Sequence, residues 1–181
     1  MNKQPIKPFD LWQETMTALT RGGLLLCTAG ADGKPNPMTI GWMAGGVIWG
    51  KPILEVLVRP SRYSYSRLEQ NAEFTVNVMP REFVEAIQIC GSASGRNTDK
   101  FAETGITATP AQEVKVSLIE QAVISYECRV VHANEVVPQR LEQGIVTTFY
   151  PHGDFHRVYF GEVLAACADA DAKARLVGWL S

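Results

Sequence analysis

The sequence contains no apolar run near the roughly 20 residues that a helix needs to cross a bilayer. Its first residues, MNKQPIKPFDLW, have lysines but no apolar segment after them, unlike a secretory signal peptide. Charge of either sign is also not in excess, because 17 Lys and Arg face 19 Asp and Glu for a net charge of −2. We therefore expect a cytoplasmic protein with no membrane and no nucleic acid among its partners.

Common nucleotide, nucleophile and dithiol motifs are missing as well. There is no Gly-x-Gly-x-x-Gly after a strand, no phosphate loop, no Gly-x-Ser-x-Gly elbow and no Cys-x-x-Cys pair. The four cysteines, Cys27, Cys90, Cys128 and Cys167, lie in apolar surroundings, and most of them are expected to be reduced and buried. Cys90 is the candidate for reactivity, because a glycine-rich stretch ending in Arg96 follows it.

Histidine is scarce, with three residues at positions 132, 152 and 156. His152 and His156 would share a face only on a helix, but they lie in a Pro-His-Gly-Asp turn that leads into a strand. No partner ligand motif accompanies them, so we expect no metal site.

The hydrophobic pattern predicts a mainly β protein with short helices at its periphery. With 181 residues and no linker or repeat, we expect one domain over residues 1–181, beginning with a short helix. Many short strands with few helices favour an antiparallel Greek-key β-barrel. The predicted strands are 24–28, 38–42, 53–58, 73–78, 123–131, 144–150 and 157–165. The predicted helices are 10–20, 62–69, 82–89, one capped by Asn97 or Thr98 and ended by Gly105, and one that starts at Asp169 or Asp171.

Residues 123–131 alternate between apolar and polar side chains. The polar set is Ser125, Glu127 and Arg129. In an antiparallel sheet this alternation predicts that the apolar face packs in the core and the polar face lies in water.

The stretch from Asn36 to Asn71 joins two apolar, strand-like runs to a segment that is crowded with serine and arginine. Backbone N–H groups, hydroxyls and guanidinium groups at the start of a helix form a site for a phosphate. The alternative is a solvated turn in which Ser61 is the helix N-cap.

Five motifs in this chain resemble the flavin reductase-like family of FMN-binding split barrels, and within it the flavoredoxin-type branch. They occur in the family's order and span residues 36–163. The motifs are Asn36–Trp42, Arg59–Ser64, Phe74–Val78, Ser94–Arg96 with Asp99–Phe101, and His156 with Phe160–Val163. The resemblance implies a Greek-key split β-barrel that binds FMN and is a homodimer, with the flavin near the subunit interface.

A flavin site must hold a phosphate, a planar ring and the polar edge of that ring. The hydroxyls and guanidinium groups near Ser61 suit the phosphate, while the backbone from Met38 to Trp42 suits the ring edge and ribityl chain. Trp42 either packs on the ring or is a core tryptophan. The expected cofactor-binding residues are Asn36, Met38, Thr39, Ile40, Trp42, Arg59, Ser61, Arg62, Ser64, Ser94 and Lys100.

Two further groups are implied to lie near the flavin. The loop that contains Ser94 and Lys100 matches a family loop close to the flavin, or it is a plain loop before a helix with Lys100 in solvent. His156 resembles the family's histidine near the nicotinamide or other reductant, or it is a surface residue. Phe155 stands where the family often has an aspartate, and the displacement of Asp154 by one position would turn the imidazole outward.

The resemblance implies an FMN-dependent oxidoreductase. It would pass hydride or electrons from NAD(P)H or a redox protein, through the flavin, to free flavin, ferric iron or another acceptor. Hydride transfer requires no side chain as acid or base, so no catalytic residue is assigned. The alternative is a non-enzymatic, flavoredoxin-like electron carrier or flavin-binding module that uses the same residues.

Overall fold

The computed structural model describes residues 3–180 and is mainly β, with helices at the periphery. No helix within this range is long and apolar enough to cross a membrane. The strands are β1 (Lys3–Pro5), β2 (Leu24–Ala29), β3 (Pro35–Ile40), β4 (Met43–Ile48), β5 (Lys51–Val58), β6 (Glu73–Val78), β7 (Ala108–Thr109), β8 (Leu118–Ile119), β9 (Ile124–Glu135) and β10 (Arg157–Asp169). The helices are α1 (Trp12–Arg21), α2 (Tyr63–Gln70), α3 (Val84–Ser92), α4 (Lys100–Thr104), α5 (Gln143–Phe149) and α6 (Ala172–Leu176).

The main sheet is antiparallel and has eight strands, in the order β3-β2-β6-β9-β10-β5-β4 with β1 also paired to β10. Its two edge strands, β3 and β4, are consecutive in the chain and are joined by Gly41 and Trp42 alone. Two linking residues span at most about 11 Å, so the sheet must curl until its edges approach each other. Within residues 3–180 these edges are not hydrogen-bonded together. The predicted split β-barrel with peripheral helices is therefore confirmed.

Apolar side chains from the central strands fill the barrel, and Phe74 and Tyr126 are fully buried there. Gly161 on β10 faces Phe74, and a Cβ atom at this position would stand 2.3 Å from the phenyl Cζ. The pairing of β10 with β9 also shifts register between Phe160 and Gly161. Glycine is needed at this position because β10 passes so close to the core ring.

The polar face of β9 differs from the prediction. Arg129 is exposed, but Ser125 and Glu127 are buried, because the segment 108–119 covers them. The Glu127 carboxylate accepts hydrogen bonds from the backbone N–H groups of residues 112–114 at 2.6–3.3 Å. Asn77 Oδ1 likewise accepts from the Ile119 N–H and the Ser125 hydroxyl, both at 3.1 Å. These side chains supply the partners that the backbone of a covering loop requires.

Residues 144–150, predicted as a strand, form helix α5, whose first turn is capped by the Glu142 carboxylate. The run Ile-Val-Thr-Thr from Ile145 is rich in β-branched residues and indicates a strand by propensity alone. However, β9 and β10 on either side of this segment pair with each other. The segment between them therefore has no neighbouring strand to join, and a helix satisfies its own backbone.

Two helix starts also differ from the predictions. Asp99, rather than Asn97 or Thr98, caps α4 by accepting hydrogen bonds from two backbone N–H groups. Helix α2 begins after Arg62 with no side-chain cap, so the assignment of Ser61 as its N-cap is wrong. The predicted end of α4 at Gly105, with a φ of +68°, and the start of the last helix at Asp171 are confirmed.

Candidate functional site

A groove opens where β3 turns into β4, at the seam of the barrel. Its first part, which we call the aromatic cleft, has a volume of about 580 Å³ and is bounded by residues 38–42, the end of β5 and His156. Its second part, the hydroxyl cavity, has a volume of about 680 Å³ and lies between the start of α2 and residues 90–96. The two parts share Met38, Arg62 and Gly91, so they form one continuous groove. Every predicted site residue lines one part or the other.

Trp42 forms one wall of the aromatic cleft. Its ring centroid lies 4.8 Å from that of His156 and 5.1 Å from that of Phe149, which meets the indole edge-on. The side chain is 37% exposed, so the core-tryptophan alternative is wrong. An aromatic face that is fixed on one side and open on the other suits a planar ligand.

His156 is buried, with 8% of its surface exposed, and stands directly before β10. Its Nδ1 lies 2.8 Å from the Tyr150 hydroxyl. Burial, followed by the nearby Arg59 guanidinium, lowers the pKa of His156 to about 4, against the opposing effect of the Asp154 carboxylate. The imidazole is therefore neutral at pH 7, and the outward turn expected from the displaced aspartate does not occur.

Arg59 and Ser61 bind the loop that precedes β10. Arg59 donates hydrogen bonds to the carbonyls of Phe149 at 2.8 Å and Asp154 at 3.1 Å, and its guanidinium lies 5.0 Å from the Tyr150 ring centroid. Ser61 donates to the Asp154 carboxylate through its hydroxyl at 2.6 Å. Both predicted phosphate ligands thus have partners within the chain.

Arg62 differs from these two residues. Its side chain is exposed at the junction of the aromatic cleft and the hydroxyl cavity, and it has no hydrogen bond or ion pair with another side chain in the described range 3–180. The nearby Arg96 donates to the Ser61 carbonyl at 3.1 Å and lies over the Tyr63 ring. Arg62 is therefore the guanidinium in this groove that an anion can engage without breaking a contact.

Three segments meet at the base of the hydroxyl cavity: β3 at Asn36, α2 at Ser64 and the 93–99 loop at Gly95. Asn36 Nδ2 donates to the buried Ser64 hydroxyl at 2.9 Å. A Cβ atom at Gly95 would stand 1.9 Å from Asn36 Oδ1, so the 93–99 loop approaches β3 more closely than another residue would permit. Ser94, next to Gly95, has its hydroxyl exposed toward the cavity and accepts the Arg96 N–H at 3.3 Å.

Lys100 is buried rather than solvated. Its ammonium donates to the carbonyls of Pro37 and Cys90, both at 2.9 Å, and burial lowers its pKa. Two of its three N–H groups are therefore used within the chain. Thr39 is held in a similar way, because its hydroxyl donates to the Ile87 carbonyl. Through these hydrogen bonds to the carbonyls of Cys90 and Ile87, both residues hold β3 close to α3.

Cys90 is fully buried, and burial raises the pKa of its thiol to about 11. Reactivity requires an accessible thiolate. The alternative of a reactive Cys90 therefore does not hold, and the residue packs as a small apolar side chain, as free cysteines usually do.

Tyr150, Asp154 and Gly91 were not identified as site residues from the sequence. Asp154 acts through its contact with Ser61, which lies 93 positions away in the chain and which no local pattern reveals. Tyr150 acts through His156, six positions away, but their contact depends on the turn between them and has no sequence motif. Gly91 lies on the last turn of α3, where a Cβ atom would stand 3.3 Å from Thr39, and its lack of a side chain keeps the groove open between its two parts.

Comparisons with known proteins agree with this architecture. The family described as "Flavin reductase like domain" matches residues 16–179. A protein of Archaeoglobus fulgidus that is named as uncharacterized is 31% identical over 121 residues, which is 67% of each chain. Another of Pyrococcus abyssi is 26% identical over 141 residues, which is 77% of this chain and 70% of that protein.

Solved structures show the same fold. A flavoredoxin from Methanosarcina acetivorans matches 82% of this chain and 69% of its own, with a TM-score of 0.65 and 26% identity. A flavoredoxin of Desulfovibrio vulgaris matches 83% and 71%, with a TM-score of 0.67 and 22% identity. An NADH:FAD oxidoreductase of Streptomyces globisporus shares the fold, with a TM-score of 0.63, 20% identity, and coverage of 92% and 87%. This family and its members support a flavin-related redox function. The chain belongs to the flavin reductase-like family.

Proposed function

We propose that this protein binds FMN in the groove and is an oxidoreductase of the flavin reductase or flavoredoxin type. It passes hydride or electrons from NAD(P)H or a redox protein to an acceptor such as free flavin or ferric iron. The observation that carries the proposal is one continuous groove with the Trp42 wall in the aromatic cleft and the unpaired Arg62 guanidinium where this cleft meets the hydroxyl cavity. The flavin supplies the redox chemistry when bound, and the chain binds and orients it.

The residues of the groove suit the parts of FMN in different ways. Arg62 and Ser94 face the cavity and suit the phosphate, because charged and hydroxyl donors bind phosphate oxygens well. The backbone from Met38 to Trp42 suits the ring edge and ribityl chain. Arg59 and Ser61 contribute through the loop that they hold in place. Asn36, Thr39, Ser64 and Lys100 contribute through the internal bonds that fix β3, while Ile40 lines the aromatic cleft.

The choice of FMN over FAD rests on a single compact cluster of phosphate donors. Calorimetric titration with FMN, FAD and riboflavin tests it, with the tightest binding expected for FMN. Equal or tighter binding of FAD would contradict the choice of cofactor.

NAD(P)H would dock in the open aromatic cleft beside His156 and deliver hydride, since the chain has no dinucleotide motif of its own. The second candidate function is an electron carrier, which the similarity to the Methanosarcina acetivorans flavoredoxin favours. Anaerobic stopped-flow reduction of the FMN-loaded protein by NADH and by NADPH separates the two. Fast bleaching supports the enzyme. Reduction by an electron-transfer protein but by neither nucleotide supports the carrier.

We also propose that the protein is a homodimer and that residues 1–181 form one domain. An apolar patch on the outside of the sheet supports pairing, since Trp49 is 62% exposed and Val47 72% exposed. Phe160 and His132 lie beside Trp49, at centroid distances of 6.0 and 5.9 Å. Light scattering should give a dimer mass for the wild type and a monomer mass for Trp49→Glu. Val177→Glu, at a residue 56% exposed elsewhere, is the matched control. A monomeric wild type at micromolar concentration would contradict the dimer.

The proposed location is the cytoplasm, because all four cysteines are free and free thiols are typical of a reducing compartment. Fractionation of cells that express the native chain tests this location.

A further inference from the structure

The Tyr150 hydroxyl and the His156 imidazole form a buried pair at the back of the aromatic cleft. Tyr150 is 5% exposed, His156 is 8% exposed, and Oη lies 2.8 Å from Nδ1. Trp42 packs on the imidazole at a centroid distance of 4.8 Å and limits its rotation. Because His156 lines the cleft and its Nδ1 is taken by Tyr150, the ring edge that remains for a ligand carries Nε2.

The direction of the hydrogen bond follows from the surroundings of the hydroxyl. Burial raises the pKa of Tyr150, so the phenol keeps its proton at neutral pH. The Arg59 guanidinium over the ring and the His156 backbone N–H act in the opposite direction on this pKa, because positive charge near the phenol stabilises its anionic form. Neither group can accept the phenol proton, because both are donors.

Nδ1 of His156 is the one side-chain hydrogen-bond partner of the Tyr150 hydroxyl in the described part of the chain. If the oxygen accepted a proton from Nδ1 instead, its own buried proton would have no acceptor, which is costly. Donation from Tyr150 to Nδ1 satisfies both groups. A neutral imidazole carries one N–H, so that proton must then be on Nε2.

We propose that Tyr150 is a positioning residue that fixes His156 as the Nε2–H tautomer, so that the aromatic cleft presents an oriented, neutral N–H donor. The chemical class of ligand that suits this donor is an uncharged acceptor on a planar ring, such as a carboxamide or ring carbonyl oxygen. An imidazole without Tyr150 would divide its proton between the two nitrogens and offer the donor only part of the time. The tautomer is inferred from the geometry of the ligand-free protein. The assignment of its ligand as a nicotinamide carboxamide rests on the proposed function.

Long-range ¹H–¹⁵N NMR of the histidine rings in the ligand-free protein at pH 7 tests the tautomer directly. His156→Gln assigns the signals. In the wild type we expect a protonated Nε2 and an unprotonated, downfield Nδ1. In Tyr150→Phe we expect the two ¹⁵N shifts to converge as both tautomers are populated. Tyr159→Phe, which removes a hydroxyl bonded to Glu69 at 2.8 Å, is the matched control and should leave the His156 shifts unchanged.

A wild-type His156 protonated at Nδ1 overturns the proposal even if Tyr150→Phe fails to fold. Unchanged His156 shifts in a folded Tyr150→Phe variant also overturn it. In steady-state reduction by the nucleotide, Tyr150→Phe should raise KM about twofold, because a donor present in about half of the molecules halves the apparent affinity, with kcat nearly unchanged. An unchanged KM overturns the ligand assignment. A wild type that no nucleotide reduces contradicts the proposed function, while the NMR result still decides the tautomer.

Discussion

Ser61 donates two hydrogen bonds to the carboxylate of Asp154, from its hydroxyl at 2.6 Å and from its backbone N–H at 3.2 Å. The pair joins the start of α2 to the loop before β10, across 93 positions of the chain. It explains why the displaced aspartate leaves His156 buried, since Asp154 holds the segment before α2 instead of standing directly before the imidazole. It also shows why Arg62, and not Ser61, is the group free to meet an anion.

Arg62→Ala should weaken binding of FMN by about 1.5–3 kcal/mol, the contribution of a charged hydrogen bond. Binding of riboflavin should change little, because riboflavin carries no phosphate. Calorimetric titration of both flavins measures the difference. Arg21→Ala, an exposed arginine at the end of α1, controls for the loss of one positive charge. An equal loss of binding affinity for FMN and riboflavin would show that Arg62 does not bind the phosphate.

The pH dependence of stability should carry a contribution from His156. Its pKa is lowered to about 4 from the ordinary 6.5. Between these values the unfolded chain binds a proton that the folded chain does not. The contribution is therefore complete above about pH 6.5 and is lost as the pH falls toward 4, by at most about 3 kcal/mol.

Urea unfolding at a series of pH values measures this effect. Carboxylates add their own acid destabilisation, so the informative quantity is the difference between the wild type and His156→Gln. The variant should lose stability less steeply below pH 6.5. His152→Gln, at an exposed position outside the groove and the proposed dimer patch, should follow the wild type. Parallel curves for the wild type and His156→Gln would show that the imidazole is not buried in its neutral form.

Lys100→Met should lower the free energy of unfolding by about 2 kcal/mol. The substitution keeps much of the side-chain volume but leaves the carbonyls of Pro37 and Cys90 without their donor. Urea unfolding gives the value, with the exposed Lys115→Met as control. Stability equal to that of the wild type would mean that the ammonium does not bridge these carbonyls in solution.

Alkylation of the native protein should modify Cys167 first. This cysteine is partly exposed, whereas Cys27, Cys90 and Cys128 are fully buried. Burial raises the pKa of all four thiols, so access to the reagent is what distinguishes Cys167. Mass spectrometry after timed treatment with iodoacetamide identifies the labelled thiols, and the denatured chain gives the reference rates. Labelling of Cys90 as fast as Cys167 would contradict its burial.

The sequence by itself determined the features that depend on local pattern. The apolar run at 73–78 corresponds to β6 (Glu73–Val78), and the glycine at 105 ends α4 with the positive φ that favours glycine. The motif residues also lie together in the fold, although they belong to different elements: β3, the end of β5, the start of α2 and the segment before α4. All predicted site residues accordingly line the two parts of the groove.

Only the tertiary structure decided which of these side chains are already engaged. The Lys100 ammonium and the Ser61 hydroxyl are groups of the kind that bind phosphate. Each of them, however, is hydrogen-bonded within the chain to groups 10 to 93 residues away. Residues 144–150 have strand propensity but form a helix, because β9 and β10 pair with each other and leave them no neighbour. Propensity acts over a few residues, whereas burial and the satisfaction of buried polar groups depend on segments that meet only when the sheet has curled into its barrel.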